Sequence, residues 1–141
     1  MSLVGNIGIG EEMYLSFLRE KLSLDTDKTK CVLRKDETYG CVIDIYGQNV
    51  FLSTFQEKEL PEFIKFGNIF DGNFVCSHSK LISMKGFPDS IVGNLDITYC
   101  KGIKSLDDVP KEIKGDFICI GLGFIEENIR SHCKVGGNIY C

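Results

Sequence analysis

A glycine recurs at positions 72, 93, 115 and 137, at spacings of 21, 22 and 22 residues, and is followed each time by Asn73, Asn94, Asp116 or Asn138. Two residues beyond each glycine stand Phe74, Leu95, Phe117 and Ile139, and four beyond it Cys76, Ile97, Cys119 and Cys141. Apolar residues at every second position of so short a run predict a strand with one buried face. A fixed period of this length belongs to solenoids of the leucine-rich kind, in which each coil supplies one such strand. A weaker copy opens at Gln48 and Asn49, with Val50 and Leu52 in the two inward positions, so five strands can be stacked.

The remainder of each coil repeats as well. "KLISMKGFPDSIV" and, one residue out of phase, "GIKSLDDVPKEIK" match Leu81 with Ile103, Met84 with Leu106, Phe87 with Val109, Pro88 with Pro110 and Ile91 with Ile113. One coil cannot bury such a row alone, whereas stacked coils share a continuous core. At about 4.8 Å per strand, five coils make a stack about 20 Å long. The last coil departs from the phrase. "GFIEENIRSHCKVGG" spaces Ile125, Ile129 and Cys133 four apart and closes on a glycine pair, which predicts a short amphipathic helix.

Ahead of the repeats, "GEEMYLSFLREKLSL" places Met13 or Tyr14, Phe17, Leu18 and Leu22 on one side of a helix of about 12 residues, with Glu11 and Glu12 at its start. It is expected to cap the open core. "TKCVLRKDETYGCVIDIYGQNVFLS" predicts a β-hairpin pairing Cys31 to Arg34 with Cys41 to Tyr46. Residues 1–9, "MSLVGNIGI", show no pattern and are expected to be partly a tag or disordered. The expected fold is α+β: a short leucine-rich-repeat-like β-solenoid of about four to five coils of about 21–24 residues. Residues 1–46 form its N-terminal helix and hairpin cap, and residues 47–141 the solenoid, in one compact unit.

Composition narrows function by exclusion. The 141 residues are 43% hydrophobic with no apolar run near the length of a membrane span and no signal-peptide pattern, so a soluble cytoplasmic protein is expected. Twenty acidic and 16 basic residues are mixed along the chain, for a net charge of −4, and leave no basic stripe for nucleic acid. Seven cysteines, an odd number with no Cys-x-x-Cys pair, are expected to be free thiols. His78 near Cys76 and His132 beside Cys133 lack the spacing of zinc ligands, and packing at a fixed repeat position accounts for the cysteines without metal.

Catalytic signatures are missing: there is no Gly-x-Ser-x-Gly elbow, phosphate loop or His-Glu-x-x-His. "GNIGIGEE" and "GLGFIEE" lack the preceding strand and later acidic residue of a dinucleotide fingerprint, and turn glycines explain them. Adjacent His132 and Cys133 point in different directions on a helix, and Cys76 faces the core. No enzyme activity and no cofactor are expected.

The runs "VIDIYGQNVFLS", "ELPEFIKFGNIFDGNFVCSHSKLISMKGFP" and "VPKEIKGDFICIG" resemble a family of tailed-bacteriophage proteins with repeats of the form Leu-x-Ser-Leu-x-Gly-x-Pro-x-x-Val-x-Gly-x-Phe-x-Cys. The resemblance covers residues 42–121. It implies leucine-rich repeats whose proline-containing coil is similar to that of secreted bacterial effectors, in a phage product acting in the host cytoplasm. It carries over no catalytic residue. Ile97 at the cysteine position and the helical last coil depart from the pattern.

Solenoids act by offering a surface, so outward strand positions are the candidate site. Those rows are Asn73, Asn94, Asp116 and Asn138; Phe51, Val75, Asp96, Ile118 and Tyr140; and Ser53, Ser77, Thr98 and Ile120, with Tyr99 beside them. Asp96, Tyr99, Ile118, Ile120 and Tyr140 are the predicted protein-binding residues, an apolar and aromatic patch of the kind found at contacts. The Asn and Asp row is expected to close turns onto nearby backbone. The expected partner is a host bacterial protein, such as a polymerase, nuclease or defence factor, that is inhibited or redirected; no membrane or nucleic-acid partner is expected. The alternative is a phage structural or assembly component that oligomerises through its exposed sheet, as a homodimer through the C-terminal edge strand.

Overall fold

A computed structural model describes Leu3–Val4 and residues 10–141 of the chain. In chain order the elements are β1 (Leu3–Val4), α1 (Glu11–Glu20), β2 (Cys31–Asp36), β3 (Gly40–Ile45), β4 (Val50–Phe51), β5 (Phe66–Phe70), β6 (Phe74–Val75) and β7 (Ser90–Ile91). They continue with β8 (Leu95–Asp96), β9 (Glu112–Ile113), β10 (Phe117–Ile118), α2 (Glu126–His132), β11 (Lys134–Val135) and β12 (Ile139–Tyr140). The result is a small β-solenoid of about four turns with two helices. Apart from Leu3–Val4, the expectation for residues 1–9 lies outside the described residues; the backbone of β1 pairs in parallel with β2.

Glu11 and Glu12 in the first turn of α1 and Arg19 in its last complement the helix dipole. Its buried stripe is Tyr14, Leu15 and Leu18. Met13 is exposed, and the helix stops two residues short of the predicted length, with Leu22 and Leu24 buried in the segment that follows. Tyr14 sets its ring edge against Phe63 at 5.4 Å, and Phe17 does the same to Phe55 at 6.3 Å and Phe63 at 5.9 Å. The hairpin forms as predicted, antiparallel from Cys31↔Ile45 to Asp36↔Gly40. Its turn is held by the Asp36 carboxylate, which accepts the N–H groups of Thr38 and Tyr39. The sequence reading missed β5, which extends this sheet in parallel beside β3.

The repeated phrase builds a five-stranded parallel sheet in the order β4, β6, β8, β10, β12. Val50, Phe74, Leu95, Phe117 and Ile139 stand in one register row. Phe74, Leu95 and Phe117 are fully buried, which is the row the alternation predicted. On another side of each coil, β7, β9 and β11 form a second parallel sheet. Backbone bonds from Val92 N–H to the Phe70 carbonyl and from Asp89 N–H to the Gly67 carbonyl tie β7 to β5. Between the sheets lie Leu81, Met84, Phe87, Pro88, Ile91, Ile103, Leu106, Pro110 and Ile113, all buried as the repeat predicted; Val109 is half-buried.

The Gly-Asn dipeptide has a role different from local turn closure. The Asn49 side-chain oxygen accepts the Asn73 N–H at 2.8 Å, Asn73 accepts from Asn94 at 2.8 Å, Asn94 from Asp116 at 2.7 Å, and Asp116 from Asn138 at 2.8 Å. Each coil thus hands one acceptor to the next, an amide ladder along the stack. The preceding glycine is required by space: a Cβ at Gly93, Gly115 or Gly137 would fall onto the carboxamide or carboxylate oxygen reaching across from the coil before. The turn-closing expectation is therefore corrected: the bonds run between coils, and Asn73, Asn94 and Asp116 are half-buried, while Asn138 is exposed.

Two further expectations change at the C-terminal end. Cys141 occupies the inward row, yet it is exposed. Helix α2 has only seven residues, so of the three residues spaced four apart only Ile129 is a buried helical residue. Ile125 precedes the helix and is 56% exposed. Cys133 is buried but extended, at φ −145° and ψ 133°, since there the chain leaves the helix to add β11 to its sheet; the glycine pair follows β11 and does not end the helix.

Candidate functional site

The outward face of the five-stranded sheet carries the predicted residues on neighbouring coils. β8 presents Asp96, β10 presents Ile118, and β12 presents Tyr140; these three stand in register across the sheet. Tyr99 follows β8 and Ile120 follows β10, joined by a bond from Tyr99 N–H to the Ile120 carbonyl at 2.9 Å. Tyr99 is 43% exposed, Ile120 41% and Tyr140 46%, while Ile118 and Asp96 are half-buried among their neighbours. Single exposed apolar residues are ordinary, but three successive coils in register bring these together on one strip.

Polar chemistry on the strip is sparse. The Asp96 carboxylate accepts the Thr98 N–H at 2.9 Å and has no ion-pair partner among the described residues. Thr98 Oγ1 is buried without a hydrogen-bond partner. Ser53 and Ser77 approach each other across β4 and β6 at 3.4 Å. Asn138 Nδ2 donates to the Tyr140 hydroxyl at 3.3 Å, which fixes that ring where the amide ladder ends.

One member of the surface was missed in the sequence. His78 and Tyr99 occupy equivalent positions in successive coils, and both have left-handed backbones, at φ 61° and 56°. Their rings lie 5.1 Å apart with an interplanar angle of 39°. The third member of that column is Gly121, at φ 85°, over which the Tyr99 ring lies so closely that any Cβ would collide with it. Two aromatic side chains thus occupy positions where glycine would cost least, at roughly 1 kcal/mol or more each. The signal available in the sequence was the spacing of His78, Tyr99 and Gly121, which matches the repeat. Phe51, at the far end of the Asp96 row, is also exposed.

Elsewhere, a cleft of about 850 Å³ opens between α1 and residues 54–61, lined by Phe17, Phe55 and Pro61 together with Glu20, Lys21 and Lys58. None of the predicted surface residues lines it. The buried thiols offer no activated nucleophile: burial pushes Cys31 and Cys119 up to about 12 and Cys41 and Cys133 up to about 11. No helix among the described residues is long and apolar enough to cross a membrane. No protein-family model matches the chain, nor does any curated protein or solved structure.

Proposed function

We propose that the protein is a non-enzymatic binder that uses the outward face of the five-stranded sheet to engage a host bacterial protein in the cytoplasm of an infected cell, inhibiting or redirecting it. The observation that carries this reading is the strip of Tyr99, Ile118, Ile120 and Tyr140, with Asp96 as its single carboxylate. Aromatic anchors on a rigid sheet lose little side-chain freedom on binding, which suits such a strip to a protein contact. The phage context comes from the repeat resemblance alone. In the same reading the coils are leucine-rich-repeat-like units, and α1 with the hairpin covers the first of them, a role supported by the edge contacts of Phe17 with Phe55 and Phe63.

The test replaces Tyr140 with Asp and Ile118 with Lys, two outward positions whose change spares the core. Affinity capture from bacterial lysate is expected to recover a protein with the original chain and to lose it with the folded double variant. Recovery of the same partners by both, with unchanged mass by light scattering, overturns the assignment of this face. A self-assembling structural component is the second reading, favoured by β12 standing at an edge of its sheet. Light scattering separates the two: a change of mass in the double variant, without any captured partner, supports assembly.

A further inference from the structure

Of the seven free cysteines, six are buried and Cys141 is exposed. The parallel register Phe117↔Ile139 and Ile118↔Tyr140 continues for one more step, where Cys119 N–H donates to the Tyr140 carbonyl at 2.7 Å. Cys119 and Cys141 therefore stand side by side in the inward row, on adjacent coils. Neighbouring strands lie about 4.8 Å apart, inside the Cα separation of roughly 4.4–6.8 Å that a disulfide spans. No other pair combines these features. Ile97 occupies the coil between Cys76 and Cys119 in the same row, and Cys100, which donates to the Cys76 carbonyl at 2.8 Å, is buried together with Cys76.

We propose that Cys119 and Cys141 form a redox-sensitive staple, closed by a low-molecular-weight disulfide of the glutathione class. The Cys141 thiolate attacks one sulfur of oxidised glutathione, forming a mixed disulfide and expelling one glutathione thiolate. Cys119 then gives up its proton and attacks the Cys141 sulfur, which forms the Cys119–Cys141 bond and expels the second glutathione thiolate. One glutathione disulfide is reduced to two thiols, the two cysteines are oxidised to one cystine, and the protons they release pass to the departing thiolates. Burial holds the Cys119 thiol protonated, so the second step is the slow one. The staple closes the chain from 119 to 141 and locks β12, with Tyr140, onto β10.

The experiment incubates the reduced full chain with millimolar oxidised glutathione, then maps disulfides by digestion and mass spectrometry and labels free thiols with iodoacetamide without unfolding. Before oxidation one thiol, Cys141, is expected to label. After it none labels, the intact mass falls by two hydrogens, and the bridge maps to Cys119 and Cys141. The oxidised protein should melt roughly 5 °C or more higher, and dithiothreitol should reverse both changes. Cys141→Ser, at an exposed position that does not endanger folding, should abolish the bridge and the melting shift. A reaction that stops at a glutathione adduct, a bridge between two copies, a bridge through any other pair, or no reaction overturns the proposal.

Discussion

Asn94→Ala removes the third of the four rungs of the amide ladder and tests whether the Gly-Asn phrase acts between coils. The Asn94 side-chain oxygen accepts the Asp116 N–H at 2.7 Å, and Asp116 is half-buried, so truncation leaves a backbone donor poorly hydrated and without a partner. Losing such a bond while stranding its donor costs about 1–3 kcal/mol. In a chain of this size that lowers the melting temperature by roughly 4–10 °C. Asn138→Ala is the matched control. Asn138 donates its backbone N–H to Asp116, which the alanine variant retains, and its side chain meets only the Tyr140 hydroxyl, so the loss should be about 0.5 kcal/mol or less. Asn94→Asp preserves an acceptor, as Asp116 does in the natural ladder, and should recover most of the stability. Calorimetry or thermal circular dichroism on the three variants reads these differences. Equal losses for Asn94→Ala and Asn138→Ala would refute the inter-coil account and favour a local turn role.

Core and titration effects give two further predictions. Phe74→Ala should cost about 3–5 kcal/mol, because its fully buried ring packs against Phe66, Phe70 and Phe87, and a urea midpoint within error of the original contradicts that packing. Stability should also fall in alkali. Burial raises the folded-state values of Cys31, Cys41, Cys119 and Cys133 from 9.0 to about 11–12, so the unfolded chain loses these protons first. Their contribution is complete below about pH 9 and is lost as pH rises toward 11–12. The melting temperature in the presence of reductant should decline across that window, and a flat profile from pH 9 to 11 refutes the burial of the thiols.

Much of the fold was readable because strand parity is local. Phe74 and Cys76, or Phe117 and Cys119, alternate within five residues, and the spacing of the glycines then sets them in register. The outward positions follow from the same parity, which is why the repeat alone sets Asp96, Ile118 and Tyr140 in one row. The second sheet could not be read this way. Each of β7, β9 and β11 is two residues long with a single inward side chain, so no alternation exists to detect. Strand β5, "FGNIF", hides its two inward phenylalanines behind a glycine, an asparagine and the exposed Ile69. The ladder was missed because asparagine next to glycine signals a turn locally, whereas its actual partner lies 21–24 residues away. His78 escaped because a left-handed histidine leaves no mark on a hydrophobic pattern.

The proposed binding face, the amide ladder and the proposed cysteine staple all depend on one claim, that successive coils stack in parallel with the Gly-Asn phrases in register. Side-chain NMR contacts test it most directly. The account predicts strong through-space contacts from the Phe74 ring to the Leu95 methyls and from the Leu95 methyls to the Phe117 ring, with all three shielded from a soluble paramagnetic probe. Absence of either contact in the folded protein, or probe access to any of the three side chains, would contradict the stack and everything built upon it.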